Sequence, residues 1–398
     1  MKRIVLVVLA GLLGAGCQSD KLARPTDADS DGLLASSAYT LPAPNAHGLR
    51  VMAYNVYLGT NLTPLLEAET PADFVAAAVG AYAELQQTDF PSRAGKIAAQ
   101  IAKVHPDVLG LEELAIWSVS APYVLGGPPT APFVIQYDFL QLVLDALQAR
   151  GLHYVAAAVD TTTDVAAPVA TAFDGSGNPI AFALVRFQDR DAVLVRAGVS
   201  FTDPQHGVYQ TYLPLNLLGN ETGIYNGWSS VRATVNGQTF RLVATHLNAE
   251  YGPVNNGQAQ ELLGVLQDET DPVIAVGDFN TGPGVTADFS GTYDLFTGAG
   301  FTDLWPVVHS QDPGLTNGPN DGVGYLGQDL VLVPWPSLDF TTRVDLVLFR
   351  GNSGRPTGLH ADRFGFQPSD RTASGLWPSD HAAVGMVFEL PMHVAHWR

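Results

Sequence analysis

PVIAVGDFN, from Pro272 to Asn280, drives four apolar residues straight into a glycine, then places a carboxylate and a carboxamide two residues apart. A short β-type run that stops abruptly in polar side chains has the form of a buried strand delivering chemistry to its carboxyl-terminal rim. Left buried without partners, such groups would cost about 1–3 kcal/mol each, so they must face a ligand, a metal or one another. An isolated GDFN fits a strand ending in an ordinary Asp/Asn turn equally well. The rest of the chain decides between the two.

The same ending recurs along the sequence. LRVMAYNVYLG reads as a strand that stops at Asn55. Helical spacing follows from about Pro71 to Val104, clearest where Ile97, Ile101 and Val104 share a face. In HPDVLGLEEL, Pro106 and Asp107 break that helix and Val108 to Leu111 form a buried strand that ends in Glu112-Glu113. Side chains alternate across a strand, so one of these acids is expected to be functional and the other to face solvent. Tyr137 to Arg150 has an amphipathic helical pattern. Ala181 to Val195 alternates around Arg186 to Asp191 like a hairpin, and Gly227 to Leu247 gives a stronger one with its turn at Asn236-Gly237. The second arm of that hairpin ends in His246 and Asn248. Gln258 to Leu266 reads as a helix leading back to PVIAVGDFN. RVDLVLF then carries Asp345 into another strand, and Asp380-His381 precede the apolar AAVGMVF. Asn55, Glu113, His246, Asp278, Asn280, Asp345, Asp380 and His381 thus each lie beside a strand edge, in a chain with only 15% charged residues. Singly, each has a structural explanation as a turn, a cap or a satisfied core residue. Together they call for one convergent site.

Composition narrows what that site can serve. With 398 residues and 46% hydrophobic content the chain can bury a large core. Its net charge is −19, and no cluster of Lys or Arg offers a track for a polyanion, which disfavours tight nucleic-acid binding but not cleavage through transient contacts. The one cysteine, Cys17, follows MKRIVLVVLAGLLGAG, two basic residues and an apolar run too short for a comfortable membrane span. Residues 1–16 are therefore expected to be a secretory signal. Cys17 after Gly14-Ala15-Gly16 resembles the lipobox of bacterial lipoproteins, although Leu13 stands one residue further from the cysteine than the usual leucine. An acylated Cys17, a flexible tether over 17–47 and one domain over 48–398 follow, in the bacterial cell envelope or secreted. DADSDG within the tether lacks the glutamate of a calcium loop, which would fall at Ala38.

NVYLG, PDVLGLEEL, ATHLNAE, GDFN, RVDLVL and SDHAAV, in this order, resemble the endonuclease/exonuclease/phosphatase superfamily of metal-dependent phosphoesterases. The resemblance spans Gly48 to Leu390. It implies an α+β fold: a four-layer α/β/β/α sandwich of two mixed, mainly antiparallel sheets flanked by helices, with the site at one rim. By matching position, Glu113 would bind Mg2+, with Mn2+ or Ca2+ as possible substitutes, Asn55 would support that metal and Asp380 would reach it through water. Asp278 and Asn280 would position the attacking water, His381 would act as base or phosphate ligand with Asp345 fixing its tautomer, and His246 would serve the phosphate or the leaving group. Whether Asp278 or His381 takes the proton is left open.

Tyr57 stands where the DNA-repair branch has an aspartate, and NVY with THLNAE looks more like the bacterial sphingomyelinase branch. The expected substrate is accordingly a phospholipid head group or another small phosphodiester at a membrane. The alternatives are a secreted DNA or RNA nuclease, a phosphomonoesterase and a catalytically silent binding protein. Val331 to Trp335 is a candidate for bilayer insertion, against core packing or a loop over the site. Nothing in the sequence marks an obligate protein partner.

Overall fold

A computed structural model describes residue 41 and residues 48–391 apart from 130, 218–219, 284, 286, 321 and 352–353. The expected signal segment, Cys17 and nearly all of the tether lie outside the described residues. Among the described residues no helix is long and apolar enough to cross a membrane.

Two six-stranded mixed sheets form the centre. The first runs, in spatial order, Thr357–Phe364, Ala383–Glu389, Leu49–Asn55, Val108–Glu112, Ala192–Arg196 and Tyr154–Val159. The second runs Thr302–Asp303, Asp345–Arg350, Val273–Asp278, Gln238–His246, Gly227–Val235 and Ser200–Val208. In each sheet the third and fourth strands are parallel and every other pairing is antiparallel.

The alternation of side chains sorts the apolar residues into layers. Val51, Ala53 and Val108 of the first sheet meet Leu242, Ile274, Val276 and Val347 of the second in a shared inner core. Met52, Tyr54, Leu109 and Leu111 point the other way, onto Ile97, Ile101, Phe139 and Val143 of the helices Phe90–Val104 and Phe139–Ala149. Val243, Ala275 and Leu348 likewise leave the second sheet to pack with Ala259, Leu262 and Phe296 of Gly252–Val265 and Ala287–Gly298. The architecture is therefore an α+β sandwich, with helices outside both sheets.

Two local expectations are corrected. The helical stretch 71–104 is two helices, Pro71–Gln87 and Phe90–Val104, because Asp89 adopts a left-handed conformation and caps the second by accepting from Ser92 N. Ala181 to Val195 is no hairpin. Pro179–Gln188 joins an accessory antiparallel sheet with Val134–Asp138, Ile116–Tyr123 and Asp164–Phe173, whereas Ala192–Arg196 belongs to the first main sheet. The joint between them, Asp189-Arg190-Asp191, is buried and polar and lacks the Asn-Gly chemistry of a tight turn. That chemistry does operate at Asn236-Gly237, whose φ values of 51° and 78° reverse the chain between Gly227–Val235 and Gln238–His246.

Candidate active site

Register builds half of the site. His246, Asp278 and Asp345 are direct cross-strand partners on three adjacent strands of the second sheet. They share the facing of Ala244, Val276 and Val347, so all three side chains enter the cleft between the sheets at one rim. Gly277 makes this approach possible: its φ is 132°, and a Cβ there would stand 2.1 Å from Thr245 O. Beyond the strand end, Asn280 turns back in a left-handed conformation, donates from Nδ2 to Leu247 O at 2.9 Å, and donates its backbone N–H to Asp278 Oδ1 at 2.9 Å.

The first sheet supplies the other half by leaving its register. Its rim pair is Asn55 opposite Glu112, both on the inner face. Glu113 reaches the site because it has φ 62°, a conformation that costs a non-glycine residue about 1–3 kcal/mol and is found where function requires it. Its Oε2 accepts from Leu58 N at 2.6 Å and its Oε1 from Asn55 Nδ2 at 2.8 Å. The same Asn55 amide nitrogen donates to Asp278 Oδ2 at 3.1 Å, while Asn55 Oδ1 accepts from Tyr57 N. Asn55 thus bridges the carboxylates of the two sheets through its amide nitrogen.

Glu112 corrects the expectation of a solvent-facing acid. It is 0% exposed, neither carboxyl oxygen has a hydrogen-bond partner, and Oε1 would lie 2.9 Å from a Cβ placed on Gly277. Alternation sends it between the sheets, beneath the site, and burial reinforced by Asp345 and Asp278 raises its pKa well above the usual carboxylate range.

His381 arrives from the segment before Ala383–Glu389. Its Nδ1 lies 2.9 Å from Asp345 Oδ2 and its Nε2 lies 3.7 Å from Asp278 Oδ2. Burial opposes protonation of the ring, but Asp345 and Asp278 together overcome it and hold its pKa well above the ordinary histidine value. His246 approaches Asp278 Oδ2 from the other side, with Nε2 also at 3.7 Å, and there too Asp278 and Glu113 outweigh burial and raise the pKa. Burial raises Glu113 to about 7. Asp380 is half-buried and accepts from Gly322 N at 2.9 Å.

Several contributors were not visible in the sequence. Asn317 meets His381 Nε2 at 2.9 Å, and its amide presents oxygen to a protonated ring or NH2 to a neutral one. Thr316 Oγ1 accepts from the backbone N–H groups of Val344 and Asp345. Asp191 Oδ1 accepts from Glu113 N at 3.2 Å and stands 4.0 Å from His246 Nδ1, and burial raises the pKa values of Asp160, Asp189 and Asp191 alongside it. Arg93 is fully buried and donates to Val56 O, Tyr57 O, Thr88 O and Pro378 O, fastening the segments that carry Asn55 and His381 to the second helix. Only QDRD and the SRAGK helix start could have signalled these residues, and neither pattern is specific.

The residues fit a hard divalent cation. Asp278, Asp345 and His381 bring ligand atoms within 4.8 Å of one another, and Asp345 Oδ1 is buried with no hydrogen-bond partner. Glu113, tied to Asp278 through Asn55, extends the carboxylate-rich donor set toward the first sheet.

No family model and no curated protein matches the sequence. Among solved structures, similarity is found to a humanized TDP2 from D. rerio, at 14% identity and TM-score 0.49, covering 86% of this chain and 100% of that one. An endonuclease/exonuclease/phosphatase family protein from Leptotrichia buccalis gives 14% identity and TM-score 0.45, covering 86% and 100%. The catalytic domain of human Nocturnin gives 13% and 0.41, covering 87% and 96%. Likenesses this remote say nothing about substrate.

Proposed function

We propose that this protein is a metal-dependent hydrolase of phosphodiesters. The observation that carries the reading is the level set of His246, Asp278 and Asp345 across three strands, completed by the His381–Asp345 pair at 2.9 Å and by the Asn55 bridge to Glu113. Such a set offers carboxylate oxygens to a hard cation and two imidazoles to a phosphoryl group on either side of one carboxylate. When bound, a divalent ion such as Mg2+ would neutralise charge developing on the phosphoryl oxygens. Glu113 would hold it, with Asp278 and Asp345 within reach. Asp278, fixed by Asn280 N–H and Asn55, orients a water between His246 and His381. The water's proton would pass to Asp278 or, once a bound cation has offset the carboxylate charge that holds the ring protonated, to His381 Nε2, and His246 would donate one to the leaving oxygen.

A small or lipid phosphodiester and a nucleic-acid strand both remain as substrates under this reading. Full-length protein with Mg2+ should therefore be offered bis(p-nitrophenyl) phosphate, single- and double-stranded DNA, RNA, and sphingomyelin or phosphatidylcholine vesicles, beside Asp278→Ala and His381→Ala. Hydrolysis that both variants lose is the expected result. A wild type that cleaves no phosphoester, or variants that match it, would overturn the proposal. Export and acylation at Cys17 belong to the same proposal and are checked by labelling with a palmitate analogue, which Cys17→Ser should abolish.

A further inference from the structure

Asp345 meets one nitrogen of the His381 ring, and the Asn317 carboxamide meets the other, at 2.9 Å from Nε2. That edge of the ring also faces Asp278 Oδ2, 3.7 Å away, where the attacking water is placed. Asn317 is therefore a neighbour of the reacting centre, and the proton transfers make no use of it.

Backbone hydrogen bonds fix its position from both sides. Thr316 and Asn317 donate their N–H groups to Thr342 O at 2.7 and 3.1 Å, and Asn317 O accepts from Thr341 N, Thr342 N and Thr342 Oγ1. Thr316 O accepts from Ala382 N, directly after His381, while Thr316 Oγ1 accepts from Val344 N and Asp345 N. Gly318 completes the close approach: a Cβ there would stand 2.1 Å from Asp339 O. The side chain of Asn317 is thus mounted on backbone bonded to Asp345 and to the residue after His381. Turn and capping asparagines spend their amides on nearby backbone. Among the described residues this half-buried amide instead meets only the His381 ring.

A carboxamide offers one acceptor oxygen and two N–H donors. Where Nε2 carries no proton, Asn317 gives it one N–H and keeps the other. Where Nε2 carries a proton, Asn317 Oδ1 accepts it and both N–H groups remain. At least one donor is left over in either state, at the ring edge that faces Asp278. The other groups around the rim are largely committed. Asn55 gives its amide nitrogen to Glu113 and Asp278, and Asn280 gives its backbone N–H to Asp278 and an amide N–H to Leu247 O. Arg93 donates to four carbonyls, Arg190 to Leu114 O and Asp138, and Arg343 to Pro313 O and Asp303.

We propose that Asn317 donates a hydrogen bond to a non-bridging oxygen of the phosphoryl group, so that one amide holds both the His381 ring and the substrate. This rests on the phosphodiesterase reading and assigns a substrate contact within it. A neutral, preorganised donor stabilises charge that grows on that oxygen, and it neither takes nor gives a proton.

The test uses full-length protein with Mg2+ and bis(p-nitrophenyl) phosphate as the reference diester. Asn317→Ala should lower kcat/KM by about 10^2-fold, and the isosteric Asn317→Asp by more, because a carboxylate repels the phosphoryl oxygen. If Asn317 only steadied the ring, a carboxylate would serve at least as well as an amide, so an Asn317→Asp variant more active than Asn317→Ala overturns the proposal. The Rp and Sp isomers of methyl p-nitrophenyl phosphorothioate, in which sulfur replaces one or the other non-bridging oxygen, read the contact directly. Asn317→Ala should change the ratio of their kcat/KM values by about threefold, and an unchanged ratio overturns the contact even where activity falls. If wild type does not cleave the reference diester, the phosphodiesterase reading has failed. The contact is then judged by calorimetry with diphenyl phosphate and Mg2+. Binding that Asn317→Asp weakens by about tenfold supports it, whereas no wild-type binding, or binding that the variant keeps, overturns it.

Discussion

The two central sheets are near copies in topology and unlike in how they deliver chemistry. Each has six strands with a parallel pair in the middle. The second sets His246, Asp278 and Asp345 side by side by register alone, so its functional groups are the plain continuation of a buried inner face. The first brings Asn55 to the same rim by register, but Glu113 enters only through a left-handed backbone turn after its strand has ended. Register is rigid and belongs to the fold, whereas a turn held by Leu58 N, Asn55 and Asp191 depends on the loops around it. The second sheet thus fixes reacting groups and part of the donor set, Asp278 and Asp345, whereas the first adds Glu113, whose hold on a cation the loops can adjust.

The sharpest way to break this contrast is to remove one acid from each sheet. Asp278→Ala should lower kcat on bis(p-nitrophenyl) phosphate by about 10^3-fold, roughly 4 kcal/mol, at any metal concentration. Glu113→Ala should lose activity chiefly through metal affinity and regain part of it as Mg2+ is raised. Equal rescue of both, read from activity against metal concentration, would dissolve the proposed division of labour.

Arg93 tests whether the first sheet's loops depend on a single support. Its guanidinium holds four carbonyls from three segments while 0% exposed. Arg93→Ala leaves those carbonyls without donors and should cost about 3 kcal/mol in urea unfolding. Arg93→Lys, with a compact ammonium in place of a planar fork, should recover only part of that loss.

The contrast also explains what sequence could and could not disclose. His246, Asp278 and Asp345 were legible because each closes an apolar run, and strand alternation then dictates where the side chain goes. Alternation separated the two acids of Glu112-Glu113 but misplaced the first: on an inner face, the residue that stays in register is buried beneath the rim, and the one that breaks register meets Asn55 at it. Asn317, Asp191 and Arg93 were illegible because they act across 64, 78 and up to 285 residues of sequence separation, through contacts that no local period records. The false hairpin at 181–195 failed for a related reason. Its alternation was real, but the two strands serve different sheets, and only tertiary pairing distinguishes that case.

A smaller effect should appear in the metal-free protein as pH changes. Burial raises Glu113 and Asp160 to about 7 and holds Glu112 and Asp191 well above the usual carboxylate range, while Asp345 and Asp278 raise His381 against its own burial. All these folded-state pKa values lie above the unfolded ones, so the folded state holds more protons and its advantage is complete at low pH. That advantage is lost as pH rises from about 4, the unfolded carboxylate range, through 7 and beyond. Tm in EDTA should therefore fall between pH 6 and pH 8, by on the order of 5 °C. A bound cation takes the place of the protons, so the gain in Tm from Mg2+ should be larger at pH 8 than at pH 6. A metal-free Tm that climbs over this range would contradict the protonated cluster.

Glu112→Gln isolates the member of that cluster that the first sheet buries beneath the rim. The amide keeps the shape of the side chain, removes a group whose charge is disfavoured between the sheets, and offers N–H donors toward Asp345 and Asp278, which lie close enough to raise its pKa. At pH 8, where ionisation of Glu112 is most costly, the variant should be more stable by about 1 kcal/mol, and at pH 5 the difference should vanish. Activity should change little, since Glu113 and not Glu112 reaches the rim. A loss of activity as severe as that of Glu113→Ala would mean that the register-bound acid takes part in metal binding, and that the two sheets deliver their ligands in the same way after all.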